Sequence, residues 1–220
     1  MNNLLKILKS KVIDLLFVPT CIGCNKTGEI FCSVCLQNIS PKLQESSENI
    51  FSVFKYSHPT IRKALWNLKY KNNRDLAQIL AQQVYDVILE EILIQERFYG
   101  FTKPVMIPIP MYKKHKRRRG YNHAELLCKE LSFIDSLSFN TVYDVLYKHR
   151  DTPRQATLKN KKERLQNLQG CFAIKHSEKI LGRNVILIDD ITTTGTTLKE
   201  ATRVLKKAGV KKVICFAVAH

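Results

Sequence analysis

The stretch Val185-Ile186-Leu187-Ile188-Asp189-Asp190-Ile191-Thr192-Thr193-Thr194-Gly195-Thr196-Thr197 decides the fold. Its unbroken apolar opening reads as a strand buried on both faces, the pattern of a parallel sheet covered by helices. The strand runs into two adjacent carboxylates and a hydroxyl-rich loop. A helix follows from Thr197 to Ala208, closed by Gly209. A helix N-terminus offers backbone N–H groups and the positive end of its dipole to an anion. Gly195 lets the backbone approach that anion closely. Two carboxylates at a strand tip can accept hydrogen bonds from a diol or share a hydrated Mg²⁺. An anion cradle with diol-gripping acids describes a ribose 5-phosphate. A helix N-cap after a core strand accounts for Thr196 or Thr197 and leaves the Asp pair unexplained.

Working outward, strand and helix patterns alternate. Phe51–Tyr56 reads as a strand, and Thr60–Leu68 and Asn73–Ile94 as helices, the second carrying Leu76, Ile79, Leu80, Val84, Val87, Ile88 and Leu93 at helical spacing. Val105–Ile109 is a short apolar strand, Ala124–Leu131 a helix, Thr141–Tyr147 a strand and Val213–Val218 a last strand. The alternation predicts an α/β fold around a parallel sheet, with ligand sites at the carboxyl ends of the strands. Trp66 and Tyr70 close the first helix beside Lys69 and Lys71. Aromatic and basic residues together can stack nucleic-acid bases, although packing is their commoner use.

The 220 residues carry a formal charge of +17, unevenly. Residues 101–170 hold fifteen Lys and Arg against six Asp and Glu, whereas residues 1–50 hold five against four. Such asymmetry points to an anionic partner. A hydrophobic fraction of 45% with only eight Gly and seven Pro excludes a mainly disordered chain. There is no GxGxxG and no GxxxxGK[ST], so neither dinucleotide binding nor ATP hydrolysis is expected. Pro110 and the run Lys113, Lys114, Lys116, Arg117, Arg118, Arg119 follow the strand at 105–109, where a pyrophosphate would need compensation. A pyrophosphate needs only two or three such cations, and the surplus suits either solvent or nucleic acid. The polar segment 148–170, with Arg150, Arg154 and Arg164, is a candidate lid over the site.

Cys21-x-x-Cys24 and Cys32-x-x-Cys35 form two knuckles, the spacing that brings four thiolates into the tetrahedral cage Zn²⁺ prefers. A disulfide pair or an iron–sulfur site are the competing readings. A closed four-cysteine site has no open position, so its role is structural. Cys128, Cys171 and Cys215 are isolated in apolar surroundings and read as buried packing thiols. The chain divides into residues 1–48, an amphipathic helix (Leu4, Leu5, Leu8, Val12, Leu15, Leu16) with the zinc module, and residues 49–220, the α/β domain. That helix can pack on its own domain or lie on a membrane. No signal peptide or spanning segment is expected, and the reading is cytoplasmic.

The run 185–197 resembles the phosphoribosyl-pyrophosphate signature of the type I phosphoribosyltransferases. Ile107-Pro-Ile-Pro110 with Arg117-x-Arg119-Gly120-Tyr121-Asn122-His123-Ala124-Glu125, then Arg154-Gln155-x-x-Leu158 and Arg164-x-x-Asn167, resemble the ComF competence-protein family, as do the cysteine knuckles ahead of them. That family commonly has Phe and Gln where this chain has Tyr121 and His123. The resemblance implies that Asp189 and Asp190 hold the ribose hydroxyls. It gives the 5-phosphate to Ile191, Thr192, Thr193, Thr194, Gly195, Thr196 and Thr197. Pro110, Lys113, Lys114, Arg117, Arg119 and Arg154 fall on the pyrophosphate or DNA side. It further implies a cytoplasmic factor of natural transformation that binds single-stranded DNA and phosphoribosyl pyrophosphate with Mg²⁺. Its expected partners are a DNA-import helicase and a membrane DNA channel, with a peripheral contact to the inner face of the membrane. A metabolic phosphoribosyltransferase acting on a base or amine is the alternative, and a sensor that binds without turnover a third.

Overall fold

In the computed structural model, which describes residues 18–71, 73–152 and 168–220, the elements in chain order are α1 (Ser33–Gln37), β1 (Gln44–Ser47), β2 (Ile50–Phe54), α2 (Pro59–Tyr70), α3 (Asp75–Tyr99), β3 (Val105–Pro108), α4 (Lys113–Arg119), α5 (His123–Ile134), β4 (Leu146–Lys148), β5 (Phe172–Ile174), β6 (Asn184–Ile191), α6 (Thr196–Lys207) and β7 (Lys212–Ala219). The central sheet runs β1-β2-β7-β6-β3. All pairings from β2 to β3 are parallel, and β1 is an antiparallel edge. β4 and β5 pair antiparallel as a separate two-stranded sheet.

Strand alternation divides the core into two layers. Ile186 and Ile188 of β6, with Ile214 and Phe216 of β7, face the buried sides of α2, α3 and α5. Val185 and Leu187, with Val213 and Cys215, face Leu198, Ala201 and Leu205 of α6. Both faces of β6 are therefore dry, which is why its sequence shows no polar alternation. Cys128, Cys171 and Cys215 are buried, as expected. The cysteine segment shares the first layer, since Ile22, Phe31 and Ile39 join the same apolar cluster as α2 and α3.

Two segments differ from expectation. The strand predicted at Thr141–Tyr147 is a single parallel bridge, Thr141 to Met106, at the edge of β3. Asp144 then pairs with Lys179 at 2.5 Å, and the chain turns to bury Val145 and Leu146 in the second layer, where β4 begins. The alternation there belongs to a chain crossing between two sheets. The basic run 113–119 folds as helix α4, with no buried residue of its own, and ends at Gly120 in the left-handed region (φ +82°). The amphipathic helix predicted at residues 4–16 lies outside the described residues.

Candidate functional site

The carboxyl end of β6 carries the two aspartates, and because successive strand residues point to opposite faces they part company. Asp190 turns toward α2 and α5. Its Oδ1 lies 2.9 Å from Lys69 Nζ and its Oδ2 3.3 Å from His123 Nδ1. Asp189 shares the face of Val185 and Leu187, and its Oδ1 accepts the backbone N–H of Asp190 at 2.9 Å. Burial opposes charge on both carboxyls, and the surroundings separate them. The Lys69 ammonium and the His123 contact outweigh burial and hold Asp190 well below the usual carboxylate range. Asp189 is half-buried, and desolvation together with the neighbouring Asp190 charge pushes it up to about 7. Burial works against the Lys69 ammonium as well, but the adjacent Asp190 overrides it and raises its pKa. The pair thus holds one firm negative charge and one that titrates near neutrality.

Lys69 and His123 did not emerge from sequence as parts of one site. The signal for Lys69 is its place on α2, four residues beyond buried Leu65 and next to buried Leu68, on the margin of an apolar stripe. His123 opens α5, positioned by Asn122, whose Oδ1 accepts the Ala124 amide at 3.1 Å and whose Nδ2 donates to Ile109 O at 2.9 Å. That clamp ties α5 to the chain leaving β3. His123 is 3% exposed, and its Nε2 has no hydrogen-bond partner among the described residues. Lys148, on β4, is a third residue that sequence left aside. Burial lowers its pKa, and its charge is near enough to interact with Asp189.

From Ile191 the chain enters the loop 192–195, anchored by Thr192 N donating to Ala219 O at 2.9 Å. The cap position of α6 is Gly195, left-handed at φ +69°, and it supplies no side-chain acceptor to the first turn. A side chain there would meet Ile50 Cδ1 at 3.2 Å in addition to the backbone strain. The helix therefore opens toward the loop with its first amides directed outward and no acidic residue in the first turn. Thr194 and Thr196 share a hydroxyl–hydroxyl hydrogen bond of 2.5 Å. The loop thus sets backbone amides and threonine hydroxyls at the carboxyl end of β6, directly after the two aspartates.

The basic residues gather one strand away. β3 ends at Pro108, Ile109 N donates to Ile188 O at 2.9 Å, and Pro110 leads into α4. Lys116 pairs with Glu125 at 2.7 Å, and Arg119 lies over the Tyr70 ring at 5.1 Å. Lys113, Lys114, Arg117 and Arg118 are exposed. Arg154, Arg164 and most of the candidate lid lie outside the described residues.

The four knuckle cysteines meet, their sulfurs all within 4.8 Å of one another. Cys32 Sγ is 3.5 Å from Cys21 Sγ and 3.7 Å from Cys24 Sγ. Sulfurs about 2.3 Å from a common tetrahedral centre stand roughly 3.8 Å apart, so the cluster fits a metal ion such as zinc. A disulfide needs about 2.05 Å and is absent at these cysteines. Closure depends on Gly23, where a Cβ would sit 2.5 Å from Cys35 Sγ.

A phosphoribosyl transferase domain model matches residues 74–220. Competence protein F of Haemophilus influenzae is 29% identical over 208 residues, spanning 92% of this chain and 85% of that protein. DNA utilization protein YhgH of Salmonella typhi is 26% identical over 183 residues, spanning 83% and 74%. Competence protein ComFC of Bacillus subtilis is 29% identical over 166 residues, spanning 66% and 65%.

Proposed function

The chain belongs to the phosphoribosyl transferase family, and from that premise we propose that it is a ComF-type DNA-uptake factor binding phosphoribosyl pyrophosphate and single-stranded DNA. One observation carries the reading: the acidic pair, the amide-and-hydroxyl loop and the basic run after β3 converge at the carboxyl ends of neighbouring parallel strands. The loop Ile191–Thr197 takes the 5-phosphate on the amides of α6. Asp189, less tied to other side chains than Asp190, meets the ribose hydroxyls. Asp190 acts from behind, its charge balanced by Lys69 and its second oxygen in contact with His123 Nδ1. Pro110 and the α4 cations lie on the pyrophosphate side. Mg²⁺, when bound with the pyrophosphate, supplies charge neutralisation there.

The surplus of cations around α4 exceeds what one pyrophosphate requires, and supports a second, polymeric anion. Relatives named for competence and DNA utilization support DNA uptake as the setting. We place the protein in the cytoplasm, at the inner face of the membrane, beside an import helicase and channel. Among the described residues no helix is long and apolar enough to cross a membrane.

The test is calorimetry of phosphoribosyl pyrophosphate with Mg²⁺ on the full chain. Asp189→Asn should weaken binding severely and the Asp189→Ala/Asp190→Ala variant abolish it; wild-type affinity in both refutes the site. Deletion that leaves natural transformation intact would point instead to the metabolic alternative.

A further inference from the structure

We propose that the outer face of α2 at Trp66 and Tyr70, continued by Arg119 and α4, is the platform on which single-stranded DNA stacks its bases. This rests on the reading that the chain binds such a strand, and assigns where it does so. Trp66 and Tyr70 stand four residues apart on one helix face, with ring centroids 5.6 Å apart. Had they been packing residues they would be covered, yet Trp66 is 47% and Tyr70 48% exposed. The buried stripe of α2 is carried by Ile61, Ala64, Leu65 and Leu68 instead.

Each ring is attended by a cation, Lys71 Nζ at 5.5 Å from the Trp66 centroid and the Arg119 guanidinium at 5.1 Å from Tyr70. Both cations lie over the ring faces on long, flexible side chains. An incoming strand can therefore take the faces with its bases while the cations turn to its phosphates, whereas an apolar protein partner gains nothing from the charges. Beyond Arg119 the surface continues into α4, whose exposed Lys113, Arg117 and Arg118 offer a track for the phosphodiester backbone. The inner margin of the same helix turn sends Lys69 to Asp190, so a strand on this face lies beside the phosphoribosyl site.

Trp66 is the single tryptophan of the chain, so its emission reports the platform directly. The experiment titrates the full protein with a fluorescein-labelled fifteen-nucleotide oligo(dT), following anisotropy, and with unlabelled oligo(dT), following tryptophan emission. Emission should be quenched with the same midpoint as the anisotropy change. Trp66→Ala and Tyr70→Ala should each weaken binding about 5- to 150-fold, with Trp66→Phe retaining much of the affinity. Lys113→Ala with Arg117→Ala should reduce the slope of log affinity against log salt by about 1.4, or about 0.7 for each phosphate of the single strand left without its cation. Unaltered melting temperature and phosphoribosyl pyrophosphate affinity in the Trp66 variants would show the fold intact. Binding by the wild type that survives the Trp66→Ala/Tyr70→Ala pair, with unquenched emission, overturns the platform and leaves the DNA reading standing. Failure of the wild type to bind oligo(dT) overturns the DNA reading, and the platform with it.

Discussion

Replacing Gly23 by alanine should destroy the metal site through a single methyl group. A Cβ at that position would lie 2.5 Å from Cys35 Sγ and 2.9 Å from Cys35 Cβ, with Thr60 Cγ2 at 3.4 Å behind it. Ordinary contact begins at 3.4 Å, so the sulfur must retreat by about 0.9 Å, whereas a metal site tolerates about 0.2 Å in its ligand distances. The backbone cannot yield in the other direction, because Ile22 N is bonded to Ile30 O at 2.9 Å and Ile22 is buried. Three sulfurs would remain, and a structural zinc contribution on the order of 10 kcal/mol would be sharply reduced. Phe31, 5% exposed between the knuckles, would lose its cover. Uncovering it costs about 2–3 kcal/mol, which lowers Tm by roughly 4–12 °C for a chain of this size. Elemental analysis after dialysis against a chelator should find wild-type protein with about one zinc and Gly23→Ala with almost none. Val34→Ala, an exposed site between Cys32 and Cys35, should keep its metal. Full zinc occupancy and an unchanged Tm in Gly23→Ala would falsify the steric argument.

Removing the ammonium by Lys69→Met should cost about 3–5 kcal/mol, because it strands Asp190 in a buried site. Adding Asp190→Asn should recover part of that loss, and denaturant unfolding showing strictly additive effects would reject the pairing. The two aspartates also predict opposite pH dependences. Asp189 has a folded pKa of about 7 against 3.8 unfolded, so the native state keeps a proton the unfolded chain has shed, and stability falls as pH rises from about 4 to 7. Asp190 is depressed, so its contribution is present above the ordinary carboxylate range and is lost as pH falls through the lower folded value. The Tm advantage of Asp189→Asn over wild type should therefore grow between pH 4 and 7, and a difference flat across that window would refute the assignment.

The unit β6–loop–α6 was legible because its information is local: a dry strand, two acids, small hydroxyl residues and one glycine in thirteen consecutive positions. The cysteine cage was legible for the same reason. The partition of Asp189 and Asp190 onto opposite faces follows from strand alternation alone, but treating them as one diol-gripping pair hid it. Lys69 and His123 were obscure because their meeting at Asp190 is tertiary, assembled from α2 and α5. Helix α4 was obscure because Lys113–Arg119 has no apolar period; it is held from outside by Glu125 on Lys116 and Tyr70 under Arg119. β1, a polar edge strand of four residues, offers no sequence pattern to read.

The match to the phosphoribosyl transferase domain begins at residue 74, yet the chemistry at Asp190 is completed by Lys69, which precedes it. α2 makes that connection. Its first turn brings Thr60 against the knuckle at Gly23, and Lys63 Nζ reaches Asn25 Oδ1 at 3.2 Å. Its last turn carries Lys69 to Asp190 and offers Leu68 O to the Tyr121 hydroxyl, immediately before the Asn122 cap of α5. A single twelve-residue helix thus touches the metal module at one end and the acidic pair at the other. The cysteine cluster and the Lys69–Asp190 pair sit at opposite ends of one helix, which ties the segment ahead of the family match to the acidic pair within it.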